Sequence, residues 1–183
     1  MNDAPPLDAK AWQDEIFDVL RASAVRQVSY VPDGGHARLI ARVQTDPDMH
    51  AISLTTEEEG IAQCAGAWLG GNRSALLMQS SGVGNCINML SMIEICRMPL
   101  LMLVTMRGEW GEFNAWQVPM GTRTEAALQM SGIHCIRAER SEEVADTVRH
   151  AASMAFDGGS ALAVLLSQRL IGAKVFVEGG TAI

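Results

Sequence analysis

The sequence lacks an uninterrupted apolar run of the kind that crosses a membrane. Its longest stretch without a charged residue runs from Ser74 to Ile93, and these 20 residues would in length be enough to span a bilayer. Nine of them are Ser, Gly, Asn or Gln, however, and two glycines, Gly82 and Gly84, interrupt the centre. We therefore expect no membrane span.

A targeting segment and metal-binding patterns are also missing. Met1 to Trp12 has no basic start and no apolar core, so the sequence predicts no secretory signal. The chain has four widely separated cysteines: Cys64, Cys86, Cys96 and Cys135. They form no Cys-X-X-Cys pair and have no histidine nearby at zinc-binding spacing. We expect reduced, mostly buried thiols in a cytoplasmic protein, and no metal site on this chain.

Basic residues are too few to form a polyanion-binding surface. The sequence has 14 Lys and Arg residues against 21 Asp and Glu residues, which gives a net charge of −7. No basic stretch stands out from this acidic background. Because nucleic acids and anionic membranes are bound chiefly through clustered cations, the sequence predicts neither as a partner.

The sequence does contain enough apolar material to form a core. Its 183 residues are 48% hydrophobic and 19% charged, and a length of about 100–200 residues is typical of one domain. We find no internal repeat, low-complexity tract or linker. The sequence therefore predicts a single domain over residues 1–183, with its core over about residues 8–170.

Helical and strand patterns alternate along the chain. The predicted helices are Asp8–Ala24, Ala37–Gln44, Thr55–Leu69, Asn85–Arg97, Arg123–Met130 and Ser141–Phe156. The predicted strands are Gln27–Val31, His50–Leu54, Ala75–Gln79, Leu100–Thr105, Ile133–Arg137 and Leu162–Leu166. This alternation predicts an α/β fold: a single doubly wound domain with a mostly parallel six-stranded sheet and helices on both faces.

Polar and glycine-rich segments follow several of the predicted strands. They are the loop Pro32–Gly35, the acidic helix start Glu57–Glu59, the segment Gln79–Asn85 and the loop Arg107–Glu109. Ligands bind at the carboxyl ends of the strands in sheets of this kind. The sequence therefore predicts a binding site at this edge, without naming the ligand.

Two of these segments have ordinary structural explanations when they are taken alone. We predict that Gly82–Asn85 forms a tight turn with Asn85 as the N-cap of the next helix. The same turn could bind a phosphate on helix N–H groups, but it matches no established phosphate-binding motif. Glu57–Glu59 alone is typical of a solvated first helical turn, where the helix dipole favours acidic residues.

The order and spacing of these segments are more specific than any one of them. The run Thr55–Leu90 resembles the first half of the pyrimidine-binding domain of thiamine-diphosphate enzymes. In that family a Glu opens a helix nine residues before the Gly of an AxGxx pattern, as Glu57 precedes Gly66 here. A strand and an [NS]SGxGN segment follow, matched by Ser80–Asn85. The resemblance extends over roughly Gln27–Leu166 and is strongest to sulfopyruvate decarboxylase alpha subunits and phosphonopyruvate decarboxylases.

The resemblance implies an activity and a set of site residues. It implies thiamine diphosphate as cofactor and decarboxylation of a small 2-oxo acid to carbon dioxide and an aldehyde. Glu57 would be the catalytic carboxylate, distinguished from Glu58 and Glu59 by spacing alone. The other expected cofactor-binding residues are Pro32, Gly82 and Asn85. The expected substrate-binding residues are His36, Gln79, Ser80, Arg107 and Gln117.

The substrate's tail is left open by the sequence. A sulfonate or phosphonate tail requires cations, and the candidates are Arg38, Arg107 and Arg123, with His36. Ala37 stands where the sulfopyruvate group tends to have a lysine. Three aromatic residues enrich the loop after Thr105: Trp110, Phe113 and Trp116. The alternatives are therefore phosphonopyruvate, an aryl or alkyl 2-oxo acid, or a non-catalytic binding or scaffold subunit of the same fold.

One motif of the family is absent. Thiamine-diphosphate enzymes bind the diphosphate and Mg²⁺ through a Gly-Asp-Gly motif followed by an Asn, and this sequence contains no Gly-Asp-Gly. The resemblance therefore implies half an active site. A separate beta subunit would bind the diphosphate and most of the Mg²⁺ coordination sphere, with the cofactor across the interface of a hetero-oligomer.

Overall fold

A computed structural model describes residues 11–172 of the chain. The strands are β1 (Val25–Tyr30), β2 (His50–Ser53), β3 (Arg73–Gln79), β4 (Leu100–Thr105), β5 (His134–Ala138) and β6 (Ala161–Leu166). The helices are α1 (Trp12–Ala22), α2 (Ala37–Thr45), α3 (Glu57–Leu69), α4 (Ser80–Cys96), α5 (Val118–Gly121), α6 (Thr124–Met130), α7 (Ser141–Phe156) and α8 (Gln168–Ile171), with a 3₁₀ turn at Ala115–Gln117. The predicted helix start at Asp8 lies outside the described residues.

The six strands form one parallel sheet in the order β2-β1-β3-β4-β6-β5. The predicted α/β fold is confirmed. The chain leaves β1 for the edge strand β2 and then returns across β1 to reach β3. Because all the strands are parallel, the segments that follow their carboxyl ends lie along one edge of the sheet.

The core has two layers, one on each face of the sheet. In β3, Ala75 and Leu77 pack with the cluster that includes α1, α2 and α7. Leu76 and Met78 point the other way and pack with α3, α4 and α6. Covering both faces explains why the central strands are apolar at nearly every position rather than alternating with polar residues.

The predicted turn before α4 is wrong, because the helix begins five residues earlier than expected, at Ser80. Gly82–Asn85 is helical, and Asn85 lies inside the helix rather than at its N-cap. Two glycines in four residues lower helix propensity, but burial of Ser80 and Val83 holds this first turn against the sheet. Tertiary packing therefore overrides the local breaker signal.

The long loop after β4 is folded back on itself. The backbone of Gly121 lies against the carbonyl of Arg107, and the backbone of Gly108 lies against the carbonyl of Gln117. A side chain at either glycine would overlap main-chain atoms, and Gly108 also has a φ of 82°. These close approaches give the loop a definite shape beside the sheet edge.

Two negative findings apply to residues 11–172. No helix in that range has the combined length and apolarity needed to cross a bilayer. No cluster of three or more His, Cys, Asp or Glu side chains there is arranged to hold a metal ion.

Candidate active site

Glu57, Gly82 and Asn85 meet where α3 and α4 begin. Oε2 of Glu57 accepts a hydrogen bond from Nδ2 of Asn85 at 2.9 Å. The rest of the carboxyl group lies against the backbone of Gly82, where a Cβ would overlap its Cγ, Cδ and Oε1 atoms. Three of the residues predicted to bind the cofactor are therefore in contact, although they are up to 28 residues apart in the chain.

The neighbouring glutamates do not share this position. Glu58 and Glu59 are exposed, whereas Glu57 is half-buried. Oε2 of Glu59 accepts a hydrogen bond from the backbone N–H of Thr55 at 2.9 Å, which closes the start of the helix. Glu57 is therefore the member of the acidic run whose carboxyl group lies against α4.

The surroundings of Glu57 leave hydrogen-bonding capacity for a ligand. Among residues 11–172, its Oε1 atom has no hydrogen-bond partner. The hydroxyl of the preceding residue, Thr56, is buried without a partner. The Oε1 atom of Glu57 can therefore accept a hydrogen bond from an amino group of a ligand or, when the carboxyl group is protonated, donate one to a ring nitrogen.

Cys86 lies beside Gly82 and near Glu57, and its thiol is unreactive. Its thiol lies one helical turn after Gly82 and contacts the Gly82 carbonyl at 3.5 Å. Burial, together with the nearby charges of Glu57 and Glu58, raises the pKa of Cys86 to about 12. The thiol is therefore neutral at physiological pH and acts as an apolar contact rather than a nucleophile.

A second polar cluster is centred on Asp33, in the loop after β1. Its Oδ1 accepts a hydrogen bond from Nε2 of Gln79 at 2.9 Å, and its Oδ2 accepts one from the Thr105 hydroxyl at 2.6 Å. The Ser81 hydroxyl in turn donates to Oε1 of Gln79 at 3.0 Å. The carboxyl ends of β1, β3 and β4 are thereby joined through one carboxylate.

His36 lies beneath this cluster with no exposed surface. Its Nε2 lies 3.1 Å from the carbonyl oxygen of Leu103, which can only accept, so Nε2 carries the hydrogen. Its Nδ1 is buried without a partner. Burial lowers the pKa of His36, opposed by the Asp33 carboxylate and by backbone carbonyls. The neutral ring supports the loop from below and presents no face to a substrate.

Ser80 and Arg107 are also engaged within the protein. The Ser80 side chain is fully buried, and its hydroxyl accepts a hydrogen bond from the Arg107 N–H at 3.0 Å. The Arg107 guanidinium pairs with both carboxyl oxygens of Glu112, at 2.5 and 2.7 Å. In this arrangement both residues position the loop after β4 and do not face an open surface.

The remaining two predicted residues are closer to solvent. Pro32 is exposed in the loop after β1, next to Asp33. Gln117 is half-buried in the 3₁₀ turn, and its Oε1 atom is buried without a hydrogen-bond partner. Their cofactor and substrate contacts stay predictions.

Sequence reasoning missed several residues that organise this edge: Asp33, Thr105, Glu112 and Gln168. Asp33 could have been found, because a carboxylate directly after a buried strand lies at the edge where ligands bind. Glu112 gave no signal, because its partner Arg107 is five residues away in a loop without periodicity. Gln168 lies 56 residues beyond Glu112 and joins it only through the fold.

Comparison with known proteins identifies the family. Over 154 residues the chain is 32% identical to sulfopyruvate decarboxylase subunit alpha of Methanococcus maripaludis, and the alignment covers 84% of this chain and 92% of that one. The chain belongs to the family of sulfopyruvate decarboxylase alpha subunits. The predicted resemblance is thereby confirmed.

Two further proteins resemble this chain over smaller shares of their own lengths. Phosphonopyruvate decarboxylase of Streptomyces viridochromogenes is 39% identical over 94 residues, which cover 51% of this chain and 24% of that one. A solved 2-oxoglutarate:ferredoxin oxidoreductase from Magnetococcus marinus matches the fold with a TM-score of 0.73 at 17% identity, over 88% of this chain and 29% of that one. No protein-family model matches the chain.

Proposed function

We propose that this chain is the pyrimidine-binding alpha subunit of a thiamine-diphosphate-dependent 2-oxo acid decarboxylase. Family membership supports a decarboxylase subunit. The observation that carries the cofactor assignment is the contact of Glu57 with Gly82 and Asn85, which holds one carboxylate oxygen while the other has no hydrogen-bond partner among residues 11–172. The overall reaction takes up a proton, converts R–CO–COO⁻ to R–CHO, and releases carbon dioxide.

The residues around Glu57 fit an aminopyrimidine ring. When bound, thiamine diphosphate supplies a nucleophilic carbon and an electron sink for the bond that is broken. Glu57 would hydrogen-bond a ring nitrogen through Oε1, while Asn85 keeps the carboxyl group in place. Gly82 leaves the space that the carboxyl group occupies.

The Asp33 cluster is the second part of the proposal. Gln79 lies at the carboxyl end of β3 and is half-buried, and its amide is fixed at both ends, by Asp33 and by Ser81. A side chain held in this way can orient a carboxylate or carbonyl group of the substrate without a large loss of entropy. We assign Gln79 to the substrate side of the site and Asp33 to its positioning.

The rest of the site would come from a second subunit. The described residues include no cluster that could hold Mg²⁺, and the sequence has no Gly-Asp-Gly motif. We propose that a beta subunit binds the diphosphate and the Mg²⁺, so that the cofactor lies between the two chains.

The test is carbon dioxide release by the complex of both subunits with thiamine diphosphate and Mg²⁺. The substrates are sulfopyruvate, phosphonopyruvate, pyruvate and phenylpyruvate, and each subunit alone is the control. Turnover only in the complex supports the divided site, whereas turnover by this chain alone contradicts it. A well-formed complex that decarboxylates none of the four would instead favour a non-catalytic subunit of the same fold.

A further inference from the structure

An exposed groove runs between α4 and α6, on the side of these helices that faces away from the sheet. Its two largest apolar side chains are Ile87, which is 38% exposed, and Met130, which is 88% exposed. The groove also contains one anion and one cation. The residues that line it are Ile87, Ser91, Glu94, Arg123, Ala126, Ala127, Met130 and Ser131.

The two helical layers of the fold differ in the charge of their outer surfaces. The layer of α1, α2 and α7 carries exposed ion pairs, such as that of Arg149 with Asp146 at 2.9 Å. In the other layer, residues 60–93 include most of α3 and α4, and Arg73 is their only charged residue. An uncharged outer surface with exposed apolar side chains is typical of a face that another protein covers.

Glu94 and Arg123 lie at opposite ends of the groove. α4 and α6 begin side by side, where the Thr124 hydroxyl lies 3.3 Å from the Ser80 carbonyl oxygen. At the other end, a Cβ on Gly132 would lie 3.6 Å from the carboxyl carbon of Glu94. Neither Glu94 nor Arg123 forms an ion pair with another residue of the range 11–172.

The order of the side chains along the groove is self-complementary. Arg123 and Ile87 lie at one end, and Glu94 and Met130 lie at the other, seven residues further along the chain in each case. That separation is about 10 Å along a helix. A two-fold axis across the groove exchanges its ends. A second copy would therefore bring its Glu94 to Arg123 and its Met130 to Ile87, and each contact would occur twice.

The groove is separate from the proposed cofactor site. α4 contacts α3 on one side and α6 on the other. The Glu57 carboxyl group lies against α4 at the start of α3. A second copy in the groove between α4 and α6 would therefore leave the Glu57 side of α4 open to the beta subunit.

We propose that this groove is a two-fold interface at which the chain binds a second copy of itself. The two Arg123–Glu94 contacts fix the orientation of the copies, and the apolar ends and uncharged centre of the groove are buried between them. Alpha subunits would then enter the complex with the beta subunit as pairs. This inference does not depend on the decarboxylase activity.

The experiment is sedimentation equilibrium of the full chain. At micromolar concentration the wild type is expected at twice the chain mass of 19.7 kDa. Arg123→Glu and Glu94→Arg each bring like charges together at two points, and each is expected to raise the Kd of the pair at least about tenfold. The double variant Glu94→Arg/Arg123→Glu restores opposite charges and should return the Kd to near the wild-type value.

Matched variants on the other helical layer serve as controls. Arg149→Glu changes the net charge as Arg123→Glu does, but on α7, and should leave the Kd within about twofold of the wild type. Met130→Gln removes an apolar contact of the groove and should raise the Kd by about tenfold or more. Met154→Gln, at a methionine of α7 that is 41% exposed, should leave it unaltered.

Three outcomes would overturn the inference. One is a wild type with the mass of a single chain. Another is a pair whose Kd neither charge reversal raises. The third is a pair of alpha chains that survives the reversals while binding of the beta subunit is lost, because the groove would then belong to the beta subunit. None of these readouts requires turnover, so an inactive complex would contradict the proposed function alone.

Discussion

The carboxyl group of Glu57 occupies the space that a side chain on Gly82 would fill. This contact joins the first turn of α3 to the first turns of α4, and the Asn85 amide secures it at 2.9 Å. The absence of a Cβ at position 82 is therefore a requirement of the site, and not of the backbone conformation, because the residue is helical.

Gly82→Ala tests this contact. Alanine should displace the Glu57 carboxyl group and lower kcat of the complex by about 100-fold, as loss of the carboxylate itself would. Gly84→Ala is the matched control, because a Cβ there would lie 3.2 Å from the flexible Met120 side chain. Both changes favour helix formation, so equal activity in the two variants would contradict the assignment.

Thr105→Val tests the Asp33 cluster through stability. The buried Thr105 hydroxyl donates to the Asp33 carboxylate at 2.6 Å, and loss of a hydrogen bond to a charged group costs about 1.5–3 kcal/mol. Urea unfolding should show a decrease of that size in the free energy of unfolding. Thr45→Val, at the exposed end of α2, should change it by less than about 0.5 kcal/mol. Equal effects of the two changes would mean that the Asp33 bond adds no stability.

The Arg107–Glu112 ion pair should make the free energy of unfolding depend on pH in the acid range. The hydrogen bonds from Arg107, with further ones from Asn114 and Gln168, lower the pKa of Glu112 to about 2. A carboxyl group whose pKa is lowered on folding stabilises the protein above its unfolded pKa, near 4.5, and loses that contribution as the pH falls toward 2.

The measurement is urea unfolding of the wild type and Glu112→Gln between pH 6 and pH 3. The difference between their free energies of unfolding should shrink by about 2 kcal/mol over that range. A difference that stays constant would show that the Glu112 carboxyl group does not titrate differently in the folded and unfolded chains.

Cysteine labelling tests the burial of the thiols. All four cysteines are free, and Cys96 is the exposed one. Burial raises the pKa of Cys64 to about 11, of Cys86 to about 12 and of Cys135 to about 11. Iodoacetamide at pH 8 should therefore modify Cys96 first in the native protein and all four in urea, as read by mass spectrometry. Rapid native labelling of Cys86 would contradict the packing around Glu57.

Most of the fold could be predicted, because periodicity reports which faces of each element are buried. The segment Leu100–Thr105 was predicted with the bounds that the structure has. The order of the strands could not be predicted, because central parallel strands carry similar apolar patterns and the helices on both faces decide which neighbours pair. The start of α4 was missed, because glycine lowers local helix propensity while burial of Ser80 and Val83 acts through tertiary contacts.

The site was predictable where spacing constrains it. The spacing of nine positions from Glu57 to Gly66 selects Glu57, and the structure places its carboxyl group against Gly82 and Asn85. The ion pairing of Arg107 was not predictable, because the sequence shows its charge but does not show that Glu112 is its buried partner. Pairing of that kind depends on a loop conformation that no periodic pattern encodes.

The most direct test of the account is Glu57→Gln in the complex of both subunits, with Glu58→Gln as the control. Glu57→Gln is expected to lower the kcat for carbon dioxide release by at least about 100-fold. Glu58→Gln should leave kcat within about twofold of the wild type, since the exposed Glu58 carboxyl group makes no contact with Gly82 or Asn85. Unchanged turnover by the Glu57→Gln complex would contradict the central claim that this carboxylate serves the reaction.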